Sequence, residues 1–151
     1  MIRRSGHDGA ETHFALQRAA CIVGMEHIFP PAMYPYPDEE IRERWRNATG
    51  TVLLAERAGE PVGVALLEGC WLHGFYVHPD HWGTGIAAEL HDAALAELPD
   101  CAEIKLWVLE ENHRARRFYE KHGWRRNGET RVVPYPPNPL DVGYSLVREE
   151  P

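Results

Sequence analysis

His81-Trp82-Gly83-Thr84-Gly85-Ile86-Ala87 joins a stretch of strand-like composition to a stretch with helical spacing. Upstream, Leu72-His73-Gly74-Phe75-Tyr76-Val77 reads as a strand that ends at His78-Pro79-Asp80. Downstream, Ala87, Leu90, Ala94 and Leu98 recur at steps of three and four, which predicts one apolar face of a helix reaching Leu98. A glycine turn therefore opens a helix directly after a strand. The amides of a first helical turn lack internal partners and lie at the positive end of the helix dipole. Glycines let that backbone approach a ligand closely, and a pyrophosphate is its natural guest.

Two phosphate loops can be tested against this stretch. A P-loop needs Gly-Lys-Ser/Thr after its first glycine, and the sequence has no such run. A dinucleotide fingerprint needs a third small residue, which Ala88 supplies in Gly83-Thr84-Gly85-Ile86-Ala87-Ala88. Glu103 opens the next predicted strand and Glu110 follows it, so the acid that a dinucleotide ribose requires is neither supplied nor excluded.

The wider sequence is more specific. His78-Pro79-Asp80-His81-Trp82-Gly83-Thr84-Gly85-Ile86-Ala87-Ala88-Glu89-Leu90 resembles the acyl-CoA loop of the GCN5-related N-acetyltransferases (GNAT). Leu106-Trp107-Val108-Leu109-Glu110-Glu111-Asn112-His113-Arg114-Ala115-Arg116-Arg117-Phe118-Tyr119-Glu120-Lys121-His122-Gly123-Trp124 is similar to the second half of that signature. It has the strand, then Asn-x-x-Ala-x-x-Phe-Tyr, then a Gly-aromatic pair. The two halves stand in the family's order and separation. The resemblance covers residues 50 to 148 well and the N-terminal third loosely.

The resemblance implies an α/β fold with a mixed, mostly antiparallel central sheet flanked by helices, and a β-bulge cleft for acyl-CoA. Residues 1–151 fit a single N-acetyltransferase domain, a size that buries roughly 68–70% of the unfolded surface. The formal charge of −7 argues against nucleic acid or an anionic membrane as the main partner. The chain has no opening apolar run of signal-peptide length and no stretch of about 18 apolar residues, which predicts a cytoplasmic protein without a membrane partner. Cys21, Cys70 and Cys101, odd in number and widely spaced, are expected to be reduced thiols.

In chain order, Ile2-Arg3-Arg4 reads as a short edge strand and Glu11 to Ile28 as a helix. Phe29 to Pro37 holds four prolines and cannot be regular structure. Asp38 is placed as the N-cap of a second helix carrying Ile41, Arg44 and Trp45. Thr51–Glu56 and Val62–Leu67 form a hairpin around Arg57-Ala58-Gly59-Glu60-Pro61. Ala102–Val108 is a further strand, parallel to Leu72–Val77 because a helix crosses between them. Asn112 can cap the next helix and Gly123 can stop it. Trp124-Arg125-Arg126 and Asp141–Val147 close the sheet on either side of the proline-rich Pro134–Pro139.

By resemblance, acetyl-CoA as acyl donor is held by the backbone of Trp82, Gly83, Thr84, Gly85, Ile86 and Ala87. Trp82 stands where the family usually has Gln or Arg. Phe75, Tyr76 and Val77 on the preceding strand, and Asn112, Ala115, Phe118 and Tyr119 on the later helix, complete the wall. The amide near Phe75 would polarise the thioester carbonyl, and Tyr119 would protonate the leaving thiolate as general acid. The family's usual glutamate base falls on Trp71, which leaves His73, Glu68, a water relay or no single residue for that role. His73 is expected on the same side of its strand as Phe75. His78-Pro79-Asp80-His81 and Cys70-x-x-His73 fall short of a zinc ligand set, so no metal is expected.

The acceptor implied is a primary amine, with a small cationic or amino-acid-like molecule favoured by the acidic balance. Its pocket would be shaped by the loops Phe29–Pro37, where Tyr34 and Tyr36 either line the pocket or cover the core, and Pro134–Pro139. A non-catalytic acyl-CoA sensor is the alternative, on the departures at Trp71 and Trp82. Homodimers are common in such folds, though no interface can be read from the sequence.

Overall fold

The computed structural model describes residues 1–148. Seven strands form one sheet: β1 Ile2–Ser5, β2 Thr51–Arg57, β3 Glu60–Glu68, β4 Trp71–Val77, β5 Glu103–Leu109, β6 Arg125–Val132 and β7 Leu140–Val147. Their spatial order is β1-β2-β3-β4-β5-β7-β6. Every pairing is antiparallel except β4 with β5, the pair linked by a helical crossover. The four helices are α1 Ala10–Gly24, α2 Asp38–Arg46, α3 Ile86–Ala96 and α4 His113–Lys121.

The alternation of the strands builds two cores. Phe14 and Leu16 of α1, with Ile41 and Trp45 of α2, pack on Leu54, Val64 and Leu66 on one face of the sheet. On the other face Leu90 and Ala94 of α3, Tyr119 of α4 and Trp124 pack on Ala65, Leu67, Ile104, Leu106 and Tyr144. The β2–β3 hairpin turns on Ala58 (φ 51°) and Gly59 (φ 79°), a two-residue loop with positive φ at both central positions.

Several boundaries differ from the sequence reading. Helix α1 stops at Gly24 rather than Ile28, and Met25 to Ile28 run on as turns, with Phe29 N bonded to Met25 O (2.8 Å). Glycine is a poor helix residue, and the helix gives way to turns just after it. Asp38 is the first residue of α2 and not its cap, because its carboxylate pairs with Arg18 (2.9 Å). Helix α3 ends at Ala96, with Leu98 packed against the core from beyond it. Trp124 precedes β6, fully buried, and its indole N–H donates to His91 Nε2 (3.0 Å).

The cysteine expectation is corrected more substantially. Cys70 and Cys101 form a disulfide, with Cα atoms 5.8 Å apart, and only Cys21 is free. The β3–β4 turn and the loop before β5 converge where β4 meets β5, and sequence spacing gives no sign of that. Closing a loop across a separation of 31 residues stabilises by about 3–4 kcal/mol in the chain-entropy account. Urea denaturation with and without reductant is expected to differ by that amount, and Cys101→Ser should remove the difference.

Candidate active site

Strands β4 and β5 pair at a single point. Trp71 faces Lys105, and Lys105 N donates to Cys70 O at 3.0 Å. Beyond it the two strands separate. The register between β3 and β4 supplies the reason. Leu66 pairs with Gly74 but Leu67 with Leu72, so His73 is one extra residue bulged out of β4. The bulge also overturns the expected facing of His73. Leu72 and Phe75 share the α3–α4 core face, while His73 is exposed at the cavity.

Backbone direction in the gap follows from one bond. His78 N donates to Val62 O at 2.8 Å, and amides along an antiparallel strand alternate in direction. The amides of Tyr76 and Gly74 therefore serve the β3 ladder. Those of Val77 and Phe75 point away from β3, into the gap that β5 has left.

Above the gap, Gly83 (φ 78°) and Gly85 (φ 90°) form the turn into α3. A Cβ on either would meet nothing within 4 Å, so φ demands these glycines while the space before them is open. Glu89 N closes the first helical bond to Gly85 O (3.1 Å), and the amides of Ile86, Ala87 and Ala88 have no helical partner. Thr84 Oγ1 donates to His81 O (2.6 Å) and holds the turn. Trp82 fastens it to the strand, its indole N–H donating to Val77 O at 2.8 Å. The Arg114 guanidinium lies over the Trp82 ring, 3.4 Å from its centroid. A cation from α4 thus stands beside the position where the family usually carries Gln or Arg.

Helix α4 forms the opposite wall. Asn112 Oδ1 accepts from Ala115 N (3.3 Å), the capping bond expected from the sequence. Phe118 stacks on Phe75 with centroids 5.7 Å apart, and Tyr119 meets Phe75 edge-on at 6.4 Å. Tyr119 is 7% exposed, and its burial alone pushes the phenol above its usual pKa. His91 lies behind this cluster, buried and edge-on to Phe118. Desolvation lowers its pKa, and accepting from Trp124 leaves the ring proton on Nδ1, toward Asp92 Oδ1 (3.3 Å).

One cavity of about 1080 Å³ runs through the gap. It brings together Glu68, His73, Phe75, Tyr76, Val77, Trp82, Ala87, Asn112, Ala115, Phe118 and Tyr119. Gly83, Thr84 and Gly85 are exposed at its edge, and Ile86 turns its side chain into the core. Of Arg114, Arg116 and Arg117, which the sequence offers as contacts for the CoA phosphates, Arg114 lines the cavity. The wall also includes residues that the sequence did not place there, Gln17 and Cys21 of α1, Glu39, Glu40 and Glu43 of α2, and Asp141 of β7. They come from distant segments, and no local motif marks them. Burial pushes the Cys21 thiol up to about 12, which makes it a poor nucleophile.

Of the two readings left open for the first proline loop, Tyr36 takes the second. Tyr36 packs against the α1–α2 core and neither it nor Tyr34 lines the cavity. Tyr135 reaches the site only through Arg44, to which it is hydrogen-bonded. Cys70 is spent in the disulfide, so Cys70-x-x-His73 offers no thiolate ligand.

A loop of free amides at a helix start, a bulge-opened gap and an aromatic helix wall define an acyl-CoA-dependent transferase fold. The chain belongs to the acetyltransferase (GNAT) family, whose pattern matches residues 17–124, and it is an N-acetyltransferase. The family uses acetyl-CoA. The peptidyl-lysine N-acetyltransferase YjaB of Escherichia coli is 30% identical over 139 residues, covering 89% of this chain and 91% of that one. An uncharacterized N-acetyltransferase of Mycobacterium bovis is 37% identical over 113 residues, covering 70% and 72%. The solution structure of apo YjaB from E. coli superposes with a TM-score of 0.80 at 24% identity, covering 99% and 98%. PaiA N-acetyltransferase from Thermoplasma acidophilum, in complex with coenzyme A, superposes at 0.72 with 17% identity, covering 98% of each. Among the described residues no helix is long and apolar enough to cross a membrane.

Proposed function

We propose that residues 1–151 form a single domain that transfers an acetyl group from acetyl-CoA to the side-chain amine of a protein lysine by direct attack. The observation that carries the chemistry is the coincidence, in one cavity, of the outward amides of Phe75 and Val77 with the Tyr119 side chain. The Phe75 amide faces the thioester oxygen and stabilises the negative charge that develops there. Tyr119, kept neutral by burial, donates its proton to the departing thiolate. His73, the histidine on the cavity wall among the described residues, takes the amine proton through water. Direct attack is favoured over an acetyl-cysteine intermediate because the Cys21 thiol stays protonated.

For the acceptor, the acidic balance alone suits any small cationic amine. The lysine reading is supported by two relatives named as peptidyl-lysine N-acetyltransferases, from E. coli and Salmonella typhimurium. The test is incubation with acetyl-CoA and an N-terminally blocked lysine peptide, beside free lysine and spermine, with mass spectrometry locating the acetyl group. Acetylation of the peptide lysine is expected. Turnover of the small amines alone would move the acceptor back to a small molecule.

Arg114 over Trp82 is read as the charge that meets the CoA phosphates. Arg114→Ala is expected to raise KM for acetyl-CoA roughly tenfold with little change in kcat, as loss of one charge-assisted contact does. Initial rates at varied acetyl-CoA decide it.

A further inference from the structure

The cavity continues past the bulge into a recess of about 290 Å³ walled by Glu68, Trp71, His73 and Trp107. The two indoles lie nearly parallel, centroids 6.2 Å apart at 24°. Two cations stand near them, Lys105 5.9 Å from Trp71 and Arg131 4.6 Å from Trp107. Each is balanced by its own acid: Lys105 by Glu129 (3.2 Å) and Arg131 by Asp141 (3.0 Å). The acids of α2 on the cavity wall are balanced as well, Glu39 by Arg42, Glu40 by Arg44 and Glu43 by Arg46. Glu68 differs. Among the described residues it has a hydroxyl neighbour, Thr49 at 3.4 Å, and no basic partner.

A carboxylate without a counter-charge, lining one recess with two indoles, selects a cation. An alkylammonium or guanidinium satisfies Glu68 and gains attraction from the rings. An anion would be repelled, and an apolar group would leave the carboxylate unmet. The position excludes the reacting amine itself. Trp71 lies four residues before Phe75 on β4, and with His73 bulged out the advance is that of three residues, about 10 Å. The cation held here is therefore a second one.

We propose that Glu68, Trp71 and Trp107 bind a second basic side chain of the protein acceptor, within about three residues of the acetylated lysine, since an extended chain spans about 10 Å in that length. This rests on the lysine reading above. A peptide fits the surroundings. The apolar cover of α1 and α2 draws on β2, β3 and β4, whereas on the same face Glu129 and Arg131 of β6 are exposed, leaving room for a backbone beside the recess. Glu68 is then an acceptor anchor and not the base.

The test uses two N-terminally blocked peptides with one acceptor lysine, one carrying arginine three positions away and the other glutamine there. Wild-type kcat/KM is expected to favour the arginine peptide by about tenfold. Trp107→Leu and Glu68→Gln should each bring that ratio to within about twofold of unity, the expected result of losing one cation contact. Because both peptides are read on the same enzyme sample, partial loss of folded protein does not move the ratio. A wild-type ratio near unity with both peptides acetylated refutes the subsite and leaves the lysine reading standing. Failure to acetylate either peptide removes the lysine reading and this inference with it. A Trp107-dependent preference for spermine over propylamine, with no peptide preference, would overturn the peptide as occupant.

Discussion

Tyr119→Phe is expected to lower kcat by about a hundredfold or more, the range that a positioned general acid supplies. KM for acetyl-CoA should stay within about twofold, because the ring that contacts Phe75 and Trp124 remains. Among the described residues the Tyr119 hydroxyl makes no hydrogen bond, so its removal should cost little stability. A thermal melt beside the kinetics separates the two effects. The pH profile adds a sign. Burial favours the neutral phenol and raises its pKa above the ordinary value of about 10, so the acid stays protonated through any assay below that pH. Wild-type kcat should then show no alkaline limb attributable to Tyr119 below about pH 10. A variant that retains full kcat would end the acid role and leave the thiolate to depart unprotonated.

The second large effect concerns a backbone group. Phe75→Pro deletes the amide that points into the gap, and a lost oxyanion donor costs about 10²–10³ in kcat. Proline is tolerable there in one respect: the amide it removes is not part of the β3 ladder. The ring is also lost, so Phe75→Leu is the companion variant, keeping the amide and most of the apolar volume. Leu should hold kcat within about fivefold, a packing change of modest cost. If Pro and Leu behave alike while both remain folded, the amide has no special part in the reaction.

The glycine turn into α3 and the capped helix were legible because their chemistry is local. Gly83 and Gly85 need positive φ, and Asn112 caps α4 from three residues away. The strand order near the cleft was legible too, since a crossover helix makes β4 and β5 parallel. Other features depend on a single residue of register. His73 bulges, and every side chain of β4 before it changes face, so the expected pairing of His73 with Phe75 gives way to Leu72. Alternation carries no mark of an inserted residue. The disulfide and the far wall of the cavity are longer-range still. Cys70 meets Cys101 only after the sheet has formed, and Asp141, Cys21 and Glu43 share one cavity from three separate elements. For Tyr36 the sequence left pocket and core equally open, and the ring packs on the core.

The central claim is that the acyl donor is gripped by backbone amides in the gap between β4 and β5. An amide-resolved NMR titration with coenzyme A tests it most directly. The amides of Phe75, Val77 and Gly83 to Ala88 are expected to shift together along one binding curve, with those of β1 and β2 unmoved. Saturable binding that leaves Phe75, Val77 and the α3 start unperturbed would contradict the account.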